Sequence, residues 1–83
     1  MEIGTIVKSK SGRDKETFLV VMKIDKNSVL LCDGKKRPLE NLKQKNVLHI
    51  AKTNTILPQE SLLTNKKIKK ALREYRETLT EVI

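Results

Sequence analysis

The hydrophobic pattern of this 83-residue chain changes period at Pro58, and that change constrains the fold more than any other feature. Before Pro58, short apolar and β-branched runs alternate with polar turns containing Gly, Asn or Asp, which is typical of strands. The predicted strands cover residues 3–8, 17–24, 28–32, 47–52 and 56–57. Short strands at this spacing predict a small β-barrel over residues 1–57.

After Pro58 the pattern becomes helical. Residues 59–63 are predicted to form a short helical turn, and Thr64 or Asn65 is suited to cap a helix that runs from 66 to 80. One face of that helix is apolar, and its residues are Ile68, Leu72, Tyr75, Leu79 and Val82. We expect this face to pack on the barrel, so that residues 58–83 form a C-terminal helical extension.

The longest apolar run is Phe18-Leu19-Val20-Val21-Met22. It is far shorter than the roughly 20 residues of a membrane-spanning helix, and its lack of alternation predicts burial on both faces of its strand. The N-terminus does not resemble a signal peptide. A single cysteine, Cys32, excludes a disulfide within the chain and suits a reducing compartment. These features predict a cytoplasmic protein of one domain.

Charge narrows the choice of partner. The chain has 18 Lys and Arg against 10 Asp and Glu, a net charge of +8, which fits nucleic acid, an anionic membrane surface or an acidic protein. Phe18 and Tyr75 are the only aromatic residues, too few for the stacking platforms of many RNA-binding modules. The helix lacks Trp or Phe anchors for a membrane surface. We therefore expect nucleic acid to be bound through backbone charge and shape, with no membrane partner.

The positive charge is concentrated in three segments: a loop around Gly12, the turn after Asp33-Gly34, and the start of the helix. Glycine lets backbone N–H groups approach a phosphate, and Lys and Arg add charged donors. The lysines of the helix stand at its N-terminal end, where the macrodipole disfavours them, which suggests a role in binding. Each segment also fits an ordinary solvated surface.

Catalytic signals are weak. His49 is the only histidine and is expected in a half-exposed strand, while Cys32 lies between Leu31 and Asp33 and suits a small core position. A Cys32–His49 nucleophile pair would need an orienting group that the sequence does not suggest. No metal-ligand set, phosphate-binding loop or dinucleotide fingerprint is present. We predict that the protein is not an enzyme, with no cofactor, metal or small-molecule substrate.

One stretch resembles a known family. The segment Gly4-Thr5-Ile6-Val7-Lys8-Ser9-Lys10-Ser11-Gly12-Arg13-Asp14-Lys15, the apolar strand that ends at Ile24, and Val29-Leu30-Leu31-Cys32-Asp33-Gly34 are together similar to a KOW motif. The basic run after Asp33-Gly34 further resembles the large-subunit ribosomal KOW proteins of archaea and eukaryotes and their small bacterial relatives. Glu16 follows Lys15 where many members have glycine.

The resemblance implies a mainly β fold, an SH3-like (KOW) barrel here followed by a C-terminal helix, that binds structured RNA, usually ribosomal RNA. Ribosomal proteins are possible further partners, and the alternative is a module that docks onto a ribosomal or transcription protein. Adding the other two basic segments to the loop gives the predicted RNA-binding residues: Lys8, Lys10, Gly12, Arg13, Lys15, Gly34, Lys35, Lys36, Arg37, Lys66, Lys67 and Lys70.

Overall fold

The computed structural model describes residues 1–12 and 17–81. Within them the chain forms five strands and one long helix: β1 (Thr5–Ser9), β2 (Phe18–Ile24), β3 (Ser28–Cys32), β4 (Lys43–Asn46), β5 (Ile50–Ile56) and α1 (Asn65–Glu81). The strands make one antiparallel sheet in the order β4-β3-β2-β1-β5. The expected mainly β class is confirmed, and the arrangement is consistent with a small barrel-like fold with a C-terminal helix.

The sheet buries apolar side chains on both of its faces. One face packs against the helix, and the buried cluster between them contains Ile6, Val20 and Cys32 of the sheet, Ile68 and Leu72 of the helix, and Leu62 from the segment before the helix. The other face holds a second buried cluster of Val7, Leu19, Val21, Val29, Leu31 and Ile50. Successive residues of β2 alternate between the two clusters, which confirms the two-faced burial predicted from its apolar run.

The prediction for the last two strands is wrong. Residues 47–52 do not form one strand, because Val47–His49 is a 3₁₀ turn and β5 begins at Ile50 and continues to Ile56. The side chain of Asn46 accepts a hydrogen bond from Leu48 N at 2.9 Å, and Val47 N donates to Asn27 O at 2.9 Å. These two bonds turn the chain although its side chains are apolar.

Strand β4, with the sequence Lys-Gln-Lys-Asn, was not predicted at all. It exists because its backbone pairs with β3, where Lys43 lies opposite Leu31 and Lys45 opposite Val29. Both lysines are half-buried, so their aliphatic stems cover the cluster that Leu31 and Val29 belong to.

The helix begins and packs much as the sequence predicts. A 3₁₀ turn at Gln59–Leu62 precedes it, and Thr64 caps it by accepting a hydrogen bond from Lys67 N at 3.1 Å. Ile68 and Leu72 are fully buried against the sheet, whereas Leu79 is 42% exposed. The apolar face therefore packs through its first half, and Val82 lies outside the described residues. The division of the chain into a barrel over 1–57 and an extension over 58–83 stays a prediction.

Candidate nucleic-acid interface

The turn after β3 is held in one shape by Asp33. Its carboxylate oxygen Oδ1 accepts hydrogen bonds from Lys35 N and Arg37 N, each at 2.8 Å, and its own N–H donates to Arg37 O at 2.9 Å. Gly34 has a φ of 77°, as the Asp-Gly pair predicts. The side chains of Lys35 and Lys36 are exposed on this turn.

The same turn is fastened to the start of the helix. A Cβ atom on Gly34 would overlap the carbonyl oxygen of Asn65, so only glycine allows this close approach. The side chain of Asn65 accepts a hydrogen bond from Leu39 N at 2.7 Å and donates one to Glu40 Oε1 at 2.9 Å. These contacts fix the lysines of the turn relative to the side of the helix that faces them.

A groove lies between the turn and the helix, and we call it the basic groove. Lys35 and Lys36 line it from the turn, and Lys69 and Arg76 line it from the helix. Among the residues that the structure describes, Asp33 is the one acidic residue in its lining, and its carboxylate accepts hydrogen bonds from two backbone N–H groups of the turn. Four basic side chains of the described residues therefore line the basic groove.

The floor of the basic groove is apolar and belongs to the core. Phe18 and Leu72 both line it, and both belong to the cluster between the sheet and the helix. Phe18 meets the ring of Tyr75 edge to face, with centroids 5.2 Å apart, and Lys8 Nζ lies 5.9 Å from the centroid of the Phe18 ring. Lys8 is therefore placed next to the groove by its aromatic neighbour.

A second groove follows the other side of the same helix, and we call it the mixed groove. Lys67 and Lys70 line it together with Glu60 and Glu74, so its charges balance. Two predicted RNA-binding lysines therefore lie among carboxylates, and the third, Lys66, is exposed at the helix start. Sequence reasoning missed Lys69 and Arg76, whose spacing of seven residues places them on one helix face.

Residues 10–12, which follow β1, lie beside a lysine of β4. Lys10 is exposed, and its N–H donates to His49 O at 2.9 Å. Lys45, which was not predicted as a contact, donates from Nζ to Ser11 O at 2.9 Å and lies beside Gly12. The predicted contacts Arg13 and Lys15 lie outside the described residues.

Gly34 and Arg37 have evident structural roles. The backbone of Gly34 faces the helix start, and Arg37 is half-buried with its backbone closing the turn. Their predicted contact with RNA stays a prediction.

The environments of Cys32 and His49 differ from those of typical catalytic residues. Cys32 is fully buried, and burial raises the pKa of its thiol, which favours the unreactive protonated form. His49 is exposed in the 3₁₀ turn, so its predicted place in a strand is wrong. In the part of the chain that the structure describes, no three His, Cys, Asp or Glu side chains are grouped to hold a metal ion. That the protein is not an enzyme stays a prediction.

Within residues 1–12 and 17–81, no helix has the length and apolar character that crossing a bilayer requires. Comparison of the chain with protein-family models and with curated proteins finds no match.

Proposed function

We propose that this protein binds structured RNA, with the basic groove as the main contact surface. The observation that carries the proposal is that two basic segments distant in sequence meet there: Lys35 and Lys36 from a turn, and Lys69 and Arg76 from the helix. A cluster built from separate elements concentrates positive charge as a phosphate backbone requires.

Binding would be driven mainly by electrostatic attraction to phosphates. Exposed lysines of the groove would neutralise phosphates and release their counterions, and Arg76 adds a further basic side chain to the lining. Lys10 and Lys45 would add contacts on the loop side. The resemblance to KOW proteins adds ribosomal RNA as the RNA class and the cytoplasm as the location, and both are parts of the proposal.

The salt dependence of binding tests this function. The affinity for a fluorescent RNA hairpin would be measured at several salt concentrations from 50 to 200 mM, a range over which proteins with several phosphate contacts lose affinity steeply. We expect a slope in log affinity against log salt of about −0.7 to −0.9 for each phosphate neutralised. Absence of binding at the lowest salt, or an affinity independent of salt, would contradict the proposal.

Three exposed apolar side chains near the N-terminus and the end of β5 favour a second function, docking onto another protein. Met1 and Ile56 line a common hollow beside Thr5 and are 46% and 49% exposed, and Ile3 is 55% exposed. Ile56 pairs with Thr5 at the start of β1, whereas Lys8, beside the basic groove, is near the end of that strand.

Two variants separate the functions. Replacing Lys35 and Lys36 by Glu should abolish RNA binding and leave an apolar protein interface intact. Replacing Ile3 and Ile56 by Ser should do the reverse. The assays are RNA binding and co-purification of protein partners from cells that express each variant.

A further inference from the structure

The basic groove has a floor that electrostatic binding of phosphates does not require. Phe18 and Leu72 form that floor between the positive walls. An apolar surface does not stabilise bound phosphate oxygens, whereas the flat apolar face of a nucleobase can stack on it. We infer that the groove takes one unpaired nucleotide of the RNA, with its base on Phe18 and its flanking phosphates on the lysines. This inference rests on the proposed function.

The ring of Phe18 has a fixed orientation before any base binds. The edge-to-face contact with Tyr75, at 5.2 Å between centroids and 78° between ring planes, fixes the orientation of its ring. The side chain is half-buried, so part of it packs in the core while the rest lines the groove. A fixed ring loses little conformational entropy when a base stacks on it.

The groove is too small for a large ligand. Its volume is about 180 Å³, below the roughly 300–1,000 Å³ of sites that enclose drug-sized ligands. In an A-form duplex the bases are stacked inside, and the deep major groove is too narrow for side chains to read. A floor recessed between charged walls is therefore accessible only to a base outside the helical stack, as in a bulge or a loop.

This site also explains how a chain with two aromatic residues can contact a base. The sequence predicts no stacking platform, because such platforms use several rings. Here one ring would suffice, since Arg76 lines the same groove with a planar guanidinium of the kind that stacks on bases. The preference would be for an unpaired nucleotide in a structured RNA, not for a long single strand.

Three RNA hairpins with equal numbers of phosphates test the inference. One is fully paired, one has a single bulged adenosine, and one has an abasic residue at the bulge. Stacking of one base on an aromatic side chain typically changes affinity by about fivefold to a hundredfold. We expect the adenosine bulge to bind at least fivefold more tightly than the abasic bulge, and the abasic and paired hairpins to bind about equally. Fluorescence of 2-aminopurine at the bulge should fall on binding, since stacking quenches it.

Protein variants assign the effect to the ring. Phe18→Leu should remove the advantage of the adenosine bulge while keeping affinity for the paired hairpin and its salt slope, and Phe18→Tyr should retain the advantage. Circular dichroism and urea denaturation would identify a variant that fails to fold, in which case the comparison of hairpins on the unaltered protein decides.

Equal affinity for the adenosine and abasic bulges, with salt-dependent binding to all three hairpins, would overturn the inference and leave the proposed function standing. Absence of binding to every hairpin would overturn both. Binding of an acidic peptide at the basic groove in preference to RNA would also overturn both, in favour of a protein partner.

Discussion

The two grooves that flank α1 both contain lysines but differ in charge, since one is mainly basic and the other has equal numbers of basic and acidic side chains. On one side Lys69 meets the lysines of the Asp33–Arg37 turn, and on the other side Lys67 and Lys70 meet Glu60 and Glu74. Neighbouring lysines of one basic segment thus belong to different surfaces. A positive segment is therefore informative about binding only when the elements packed against it are known.

The difference arises from what packs beside each face of the helix. Gly34 lets the turn approach the first residue of α1, and Asn65 bonds the segment that follows the turn, so two positive segments are brought together. The other face lies beside the 3₁₀ turn that contains Glu60, where a carboxylate neutralises lysine charge. The comparison predicts that equal changes on the two sides have unequal effects.

The largest effect is expected from Gly34→Ala. Gly34 and Gly12 have nearly equal φ values, 77° and 75°, so alanine at either position costs about 1 to 2 kcal/mol in backbone strain. At Gly34 the new methyl group also collides with the backbone of the helix start, whereas at Gly12 the nearest atom is the mobile Nζ of Lys45 at 3.5 Å. We expect Gly34→Ala to lower the free energy of unfolding by about 3 to 5 kcal/mol.

Urea denaturation measures both glycine variants, and Gly12→Ala is the control for the strain shared by the two positions. Equal decreases in the free energy of unfolding of the two variants would show that the turn does not pack tightly against the helix. The close contact at Gly34 would then not determine the shape of the basic groove.

A smaller effect is expected from Asn65→Ala. This change removes the acceptor for Leu39 N and the donor to Glu40, which should lower the free energy of unfolding by about 1 to 2 kcal/mol. It should also weaken RNA binding, because Lys35 and Lys36 lose their fixed position. The control is Thr64→Ala, which removes the helix cap bond to Lys67 N at a cost of about 1 kcal/mol and should leave RNA affinity unchanged.

Both variants would be measured by urea denaturation and by binding to the paired hairpin. If Asn65→Ala binds RNA as tightly as Thr64→Ala does, the position of the turn is irrelevant to binding.

The smallest effect concerns Cys32, which is buried beneath the helix between the two grooves. Burial raises the pKa of its thiol above the ordinary value of 9.0, so the unfolded chain loses this proton first as the pH rises. Cys32 should therefore not reduce stability below pH 9. Above pH 9, the thiol of Cys32 should lower the free energy of unfolding by at most about 1.4 kcal/mol per pH unit.

Urea denaturation at pH 8 and pH 10 would show this fall in the unaltered protein and a smaller one in Cys32→Ala. An identical fall in both proteins would indicate that the thiol is accessible to water and that the helix does not seal the core.

The sequence predicts those elements whose side chains carry a periodic apolar pattern. Strands β1 to β3 and the helix follow such patterns and were found. Strand β4 was missed because its Lys-Gln-Lys-Asn sequence has no apolar residue and depends on backbone pairing to β3. The apolar residues Val47 and Leu48 predict a strand, but the side chain of Asn46 accepts a hydrogen bond from Leu48 N and a 3₁₀ turn forms at Val47–His49.

The candidate site was predicted only in part. Lys35 and Lys36 follow a recognisable Asp-Gly turn, so local sequence identifies them as exposed. Lys69 and Arg76 share a groove with them because Gly34 packs on Asn65, a contact between residues 31 positions apart. No local sequence pattern predicts such a contact. The predicted RNA-binding residues therefore include Lys67 and Lys70 of the mixed groove and omit Lys69 and Arg76.

The central claim is that RNA binding follows the arrangement of charge in the basic groove and not the net charge of the chain. A matched pair of double variants tests it, Lys36→Gln with Lys69→Gln and Lys67→Gln with Lys70→Gln, since each removes two exposed lysine charges from the same +8 chain. For the first pair we predict affinity about tenfold lower for each lysine and a salt slope shallower by about 0.7 to 0.9 for each. The second pair should match the unaltered protein within about twofold. Equal losses of affinity and slope in the two double variants would contradict the account.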